Sequence, residues 1–338
     1  MSTDLGSADR RGGPDVLTIG ETLVALSAEL GPMVTARTLT KSIAGAESNV
    51  AIGLARLGVR VAALTRVGED PFGAEIVRTL RAEGVDTSTV TVDPGRPTGL
   101  MIKERPTSVT ANVWYHRAGS AASVLGPEDV DRAWDLLGPP RHVHVSGVTL
   151  ALGDRPRAAV ARLVARARDA GAGTSFDANH RRRLWSAADF LAAARPVCEA
   201  VADLLCSDDE AVLLTGRTDP DEALLEMAGW GPERVVVRHG ADGSRGRQRS
   251  SSAESGAPCP AVVTRAVTQG PVVDVVGAGD AYTAGYLAEV LTGADLATAM
   301  ATGAWAAGYV VSGQGDWEHL PQAVAWRARR AGEAMIDR

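Results

Sequence analysis

Lysine is almost absent from this 338-residue chain: 35 residues are Lys or Arg, yet only Lys41 and Lys103 are lysines. A Walker A loop needs a lysine directly after a GxxxxG turn, and neither residue follows one, which excludes P-loop NTPases. Cysteine is scarce too. Cys198, Cys206 and Cys259 are odd in number, have no CxxC spacing, and suit inert thiols in a reducing cytoplasm. No apolar run approaches the ~20 residues needed to cross a bilayer. The first residues, MSTDLGSADRRGGPD, have arginines without an apolar core behind them, so residues 1–14 are expected to be a short disordered tail rather than a secretory signal. A repeat of about 20–50 residues is also missing. With a net charge of −6 and a pI of about 5.6, a general nucleic-acid binder is disfavoured.

What is present fits an α/β protein. Hydrophobic residues make up 45% and charged residues 22%, an ordinary balance for a globular chain, and the length allows one large domain over residues 15–338. A strand over 16–20, a helix from about 47 to 58, a strand over 61–67 and a helix from 71 to 84 set a parallel βαβα rhythm. Residues 97–116 break it: two extended segments around a polar turn, with no crossover between them, predict a separate small sheet. The rhythm resumes with strands over 142–146, 174–177, 203–206 and 234–238 and a helix over 158–170. Helices over 280–291, 295–311 and 322–333 close the chain. The Ser/Gly/Arg-rich stretch 241–258 predicts a mobile insertion.

The most informative stretch is PVVDVVGAGDAYTAGYL, residues 271–287. Gly277, Ala278 and Gly279 lead directly into an apolar-periodic helix that begins with Asp280. Small residues before a helix N-terminus let backbone N–H groups crowd an anion, and the helix dipole adds favourable potential. A carboxylate at the same point suits phosphoryl transfer: the amides stabilise charge while Asp280 accepts a proton from an attacking hydroxyl.

In the first half, AGAESN at 44–49 precedes Gly58 and Gly68. Together with DVVGAGDAYTAG at 274–285 it resembles the paired signatures of the ribokinase (PfkB) family of carbohydrate kinases, over roughly residues 15–320. Within that family IGETLVAL (19–26), VGEDPFG (67–73), YHRAGSAAS (115–123), HVSGVT (144–149) and FDANHRRRLW (176–185) are most similar to the 2-keto-3-deoxygluconate kinase branch. The resemblance implies a three-layer α/β/α core with a mostly parallel central sheet and a small β-sheet lid formed by about 22–42 and 97–118. It also implies ATP and Mg²⁺ as cofactors, a sugar acid as partner, no nucleic acid or membrane, and a homo-oligomer, such as a dimer through the lid.

Site residues follow by the same resemblance. Asp280 matches the catalytic base and 277–279 the anion hole. Arg181 matches a residue between substrate and triphosphate, with Asn179 nearby. Gly45, Tyr115, Arg117 and Asp316 would contact the sugar acid. Ser207 and Glu210 resemble an NxxE element that acts on Mg²⁺ through water, with Ser207 replacing the usual Asn. Arg238 and Gly240 fall in a loop near the nucleotide. Asp274 matches a position that holds a monovalent cation in some relatives, although Val275 and Val276 replace the common threonines. Two further departures are Ala25, where neutral-sugar kinases carry an Asp, and Met101, where this branch often has a tyrosine.

Other readings stand beside these. Arg117 and the run 181–183 are also what a solvated surface presents, Glu210 is also a helix first-turn acid, and Asp316 is also a turn residue. His142 and His144 alternate on one strand and suggest either a hydrogen-bonded buried pair or a metal-dependent hydrolase with no third ligand placed. Trp114 and Trp134 read as packing. The same fold could phosphorylate fructose, a nucleoside or another sugar acid, or bind ligands without chemistry. Tyr282 occupies the third position of GxGxxG, which disfavours a dinucleotide site.

Overall fold

The structure, a computed structural model, describes residues 12–107, 110–249 and 260–331. Its strands are β1 (Val16–Ile19), β2 (Leu23–Leu30), β3 (Leu39–Ala44), β4 (Val61–Leu64), β5 (Arg66–Gly68), β6 (Thr91–Asp93), β7 (Leu100–Thr107), β8 (Thr110–His116), β9 (His142–Ser146), β10 (Gly173–Asp177), β11 (Asp203–Ser207), β12 (Arg234–Arg238), β13 (Ser244–Gln248) and β14 (Val262–Thr264). The helices are α1 (Ala46–Arg56), α2 (Pro71–Ala82), α3 (Pro127–Leu137), α4 (Gly147–Leu150), α5 (Asp154–Asp169), α6 (Ala187–Ala200), α7 (Asp208–Thr215), α8 (Pro220–Ala228), α9 (Ala278–Val290), α10 (Leu296–Val310) and α11 (Ala323–Ala331).

A central sheet runs in the order β14-β13-β12-β11-β10-β9-β1-β4. The stretch from β12 to β4 is parallel, and β13 and β14 extend it antiparallel. Its parallel strands read as near-continuous apolar runs because both faces are covered. One face packs on α1, α9 and α10 through Val50, Leu54, Tyr286 and Met300. The other packs on α3, α5, α6 and α8 through Val130, Leu163, Phe190 and Leu224. Local chemistry sets the helix starts. In α2, Pro71 occupies the first turn and Asp70 accepts from the Gly73 N–H at 2.8 Å, a cap worth about 1 kcal/mol.

The small sheet predicted around 97–116 is present and larger than the hairpin alone: its order is β3-β2-β7-β8. β2 pairs parallel with β7 and antiparallel with β3, and β7 with β8 antiparallel. Two expectations need correction. The run 61–67 is not one strand: it divides at Thr65 into β4 of the central sheet and β5, which pairs with β6 in a third sheet. The insertion expected over 241–258 begins as ordered structure, because β13 pairs with β12 along its length. Its inward positions are Ser244 and Gly246, and a Cβ at 246 would come 2.5 Å from the Met300 sulfur. A strand that buries serine and glycine shows no apolar alternation, so periodicity missed it. Residues 250–259 (with Cys259) and tail residues 1–11 lie outside the described residues, whereas Gly13 is buried against the Pro139 carbonyl. Trp134 is buried as expected, but Trp114 is 42% exposed on the small sheet.

Candidate active site

Ligands of open parallel sheets collect at the carboxyl ends of the strands, and here those ends carry the polar residues. Asp177 is the last residue of β10, Ser207 of β11 and Arg238 of β12. Above them α9 starts at Gly277, whose φ of +79° favours glycine. A side chain there would also meet the backbone carbonyl of Asp316 at 2.0 Å. The N–H groups of the first helical turn lack intrahelical partners, so this turn presents donors and positive potential. Asn179, Arg181, Ser207, Glu210, Arg238, Gly240, Gly277, Ala278, Gly279 and Asp280 line one cavity of about 1040 Å³. Ala266, Val267, Val272, Ala304 and Val311 give the same cavity an apolar wall.

Asp280, in the first turn of α9, is 5% exposed. The Asn49 Nδ2 donates to its Oδ2 at 2.7 Å and the Asn179 Nδ2 to its Oδ1 at 3.3 Å. Burial pushes its carboxyl up to about 7; the Asn49 donor and the Arg181 charge oppose that rise, and Asp177 and Asp316 add to it. A carboxyl that gains and loses a proton near neutrality is what general-base work requires. Asn49 was quoted within the first signature but given no role by sequence reasoning. Its only local signal is a place one turn into α1, whose N-terminus Gly45 opens. Asn179 has φ +36°, the only non-glycine residue with positive φ among the described residues. Such strain persists where surrounding structure imposes it.

Arg238 lines the cavity from the end of β12, with its guanidinium already engaged. Its guanidinium grips Asp177 with two N–H···O bonds of 2.7 Å and donates to the Gly279 carbonyl at 3.0 Å. Thr283 donates to the same carboxylate at 2.9 Å. Burial alone would raise the Asp177 carboxyl, but the Arg238 charge and its paired donors outweigh it and hold Asp177 below the usual range. The fork thus joins β10, β12 and α9 directly beneath the Gly277 turn. Glu210 accepts from the Ser207 N–H at 2.7 Å and the His180 N–H at 2.6 Å, completing a capping box with Ser207. Burial raises its carboxyl, and Asp177 raises it further. Glu210 is therefore a helix cap that also faces the cavity.

The expected sugar-side residues stand apart from that lining. Arg117 forms a buried ion pair with Glu21, which also accepts from the Ser120 hydroxyl, and stacks over Tyr115 at 5.5 Å. Its Nε has no hydrogen-bond partner. Gly45 must lack a side chain because a Cβ would sit 2.6 Å from the Glu21 carbonyl and the Ser48 hydroxyl. Asp316 pairs with Lys103 of β7. Arg181, on the exposed 181–183 run, faces Asp280 electrostatically. Asp274 turns its carboxylate onto the Val276 N–H at 3.1 Å. His142 and His144 share the Ser175 hydroxyl at 2.8 and 2.9 Å, and burial lowers both to about 4. They are a neutral buried pair. Among the described residues no group of three His, Cys, Asp or Glu is placed to hold a metal, and no helix is long and apolar enough to cross a membrane.

The comparisons agree with this geometry. The family described as pfkB family carbohydrate kinase matches residues 14–323. A 2-dehydro-3-deoxygluconokinase of Thermoproteus tenax is 35% identical over 313 residues, covering 90% of this chain and 91% of that protein. A 2-dehydro-3-deoxygalactonokinase of Haloferax volcanii is 32% identical, covering 96% of this chain and 99% of its own. The crystal structure of a PfkB protein from Polaromonas sp. JS666 superposes with a TM-score of 0.81 at 34% identity, over 93% of this chain and 99% of that one. With a three-layer α/β core, a separate small sheet and a carboxylate at a glycine-lined helix start, the chain belongs to the pfkB family of carbohydrate kinases.

Proposed function

We propose that this carbohydrate kinase transfers the γ-phosphoryl group of ATP to the terminal hydroxyl of a 2-keto-3-deoxy sugar acid. The observation that carries the reading is Asp280: buried, held by two asparagines, at the start of α9, with a carboxyl that titrates near 7. Its carboxylate takes the hydroxyl proton as the alkoxide oxygen bonds to phosphorus and the bond from phosphorus to the leaving ADP oxygen breaks. The first-turn amides at 277–279 and Arg181 offset the charge that builds on the transferring group. The apolar wall from Ala266 to Val311 suits the base, with the phosphates toward Ser207 and Gly240. When Mg²⁺ accompanies the nucleotide it neutralises phosphate charge, and Asp208, Asp209 and Glu210 line the side of the cavity where water could link them to it. A monovalent cation beside Asp274 is not needed for this reading.

Arg117 supports an acidic substrate. One face of its guanidinium is fixed by Glu21 while Nε stays buried and open, as a donor awaiting a carboxylate does. The acceptors named for the two kinases above, 2-dehydro-3-deoxygluconate and 2-dehydro-3-deoxygalactonate, differ only in hydroxyl configuration, so both belong on the assay panel. We further propose that the β3-β2-β7-β8 sheet is the lid, that residues 15–338 form one domain, that two copies pair through the exposed Trp114 side of that sheet, and that the enzyme works in the cytoplasm.

Two tests follow. A coupled ADP-release assay over keto-deoxy sugar acids and neutral sugars should give turnover with the acids; turnover on neutral sugars alone would overturn the substrate class. Arg117→Ala should raise KM for the acid by about 10–100-fold, the loss of one charge-assisted hydrogen bond, and leave any slow neutral-sugar turnover unchanged. The pH dependence has a worked sign: Asp280 must be ionised to act, so kcat/KM should climb with unit slope up to about pH 7 and then level. A flat profile from pH 5.5 to 8, roughly the window around that value, would separate Asp280 from proton transfer.

A further inference from the structure

β7 sends alternate side chains toward the core, as its period of two requires. Met101 is buried in the small sheet's apolar cluster, Lys103 pairs with Asp316, and Arg105 donates to the Val273 carbonyl at 3.3 Å. Asp316 and Val273 belong to the two loops that flank the Gly277 turn. Asp316 touches that turn directly, since its backbone carbonyl occupies the space a Cβ at 277 would need. The Lys103 and Asp316 side chains are only 16% and 11% exposed, so solvent screens their charges little.

The acids around Asp280 are not alike. Asp177 already has its counter-ion, Arg238, within the central sheet. Asp316 takes its counter-ion from the other sheet. The other charged groups that act on it are acidic, Glu318, Asp274 and Asp280, and Glu318 itself accepts from the Ser42 hydroxyl of β3. Trp317 donates to the Ile43 carbonyl of the same strand at 3.0 Å. The loop carrying Asp316 is thus held from the small sheet on one side and on the other by Arg56 of α1, which donates to the Trp317, Glu318 and Leu320 carbonyls; Lys103 is the cation paired with the Asp316 carboxylate itself.

We propose that Lys103 is a positioning residue for the reaction: from the small sheet it fixes Asp316 to accept a sugar hydroxyl and cancels the charge Asp316 presents to Asp280. The proposal rests on the sugar-kinase reading above. Lid engagement and the protonation of the base are then linked through one ion pair. With the small sheet displaced, Asp316 is left uncompensated and Asp280 holds its proton more firmly, so the base is competent only when the substrate is enclosed. That arrangement opposes wasteful transfer to water.

The test compares wild type, Lys103→Met, Lys103→Gln, Lys103→Arg, Asp316→Asn and the Lys103→Met/Asp316→Asn double variant. Each is followed by kcat and KM for sugar acid and ATP between about pH 5.5 and 9. Lys103→Met should raise the sugar KM about tenfold or more with ATP KM within about twofold. It should also move the acidic limb of kcat/KM to higher pH by about half a unit or more. Lys103→Gln should do the same, and Lys103→Arg should restore most of both effects. In the double variant the limb should return toward the wild-type position, because no charge at 316 remains to be balanced. A limb that stays in place in both neutral variants overturns the proposal, and so does a limb equally displaced in the double variant. Wild type that turns over no sugar acid sinks the functional reading and this proposal together, whereas an active wild type with an unmoved limb sinks only this one.

Discussion

Asp280→Asn should lower kcat by about 10²–10⁴-fold, the range for removing a positioned general base, while ATP affinity stays within a few-fold. The substitution is nearly isosteric: the asparagine can still accept from Asn49, and the 277–279 turn is unchanged. Single-turnover transfer from ATP measured beside equilibrium nucleotide binding separates the two effects. Retained turnover would take the proton-accepting role away from this residue. The same variant should also be more stable than wild type at alkaline pH. The folded carboxyl titrates at about 7 against 3.8 for an ordinary Asp, because burial disfavours its charged form. The neutral form's contribution to stability is thus fully present below 3.8 and is lost as pH rises through about 7. An amide has no charge to bury, so the melting temperature of Asp280→Asn should exceed that of wild type above pH 7 and converge with it on acidification. A stability gap independent of pH would mean the carboxyl is not buried in its charged form.

Arg238→Met should have the largest effect on stability. The arginine lies between two strand ends and α9, and its loss leaves Asp177, 2% exposed, with a charge and only Thr283 to meet it. Removing one member of a buried pair costs about 3–5 kcal/mol. For a chain of this length that lowers Tm by on the order of 10 °C. Converting both members, as Arg238→Met with Asp177→Leu, should recover much of the loss, because an apolar pair of similar volume carries no desolvation penalty. Thermal unfolding of Arg238→Met, Asp177→Leu and the double variant at one pH decides it. A single variant as stable as wild type would show that the fork contributes nothing, and a double variant worse than either single would show that its hydrogen bonds, not charge balance, matter. Activity should fall in both, since Gly279 loses the donor that holds its carbonyl.

These effects divide along a line between local and distant structure. Asp280 and its glycine turn were legible because a helix start is a local object: the small residues, the acid and the apolar period lie within a few positions of one another. The parallel sheet was legible for the same reason, as each strand and its following helix declare their periods separately. β13 was not, since a strand that packs serine against α9 and glycine against α10 has no apolar alternation to read. The division at Thr65 was hidden because β4 and β5 follow one another as extended chain, and which sheet receives each is not written in neighbouring residues. The family resemblance places Arg238 near the nucleotide but carries no sign of its partner. Its engagement with Asp177 depends on two strand ends coming side by side.

The sequence by itself determined the layer architecture, the separate small sheet, the family, and the acid at the head of α9, because all of these are carried by residues close together in the chain. Tertiary structure alone decided how that acid behaves. Its hydrogen bonds come from Asn49, 231 residues away, and Asn179, 101 residues away. The counter-ion of its neighbour Asp177 is 61 residues away, and Lys103 and Asp316 meet across 213. Protonation near neutrality follows from burial and from the charges that surround a group in space, and neither quantity exists until the chain has folded.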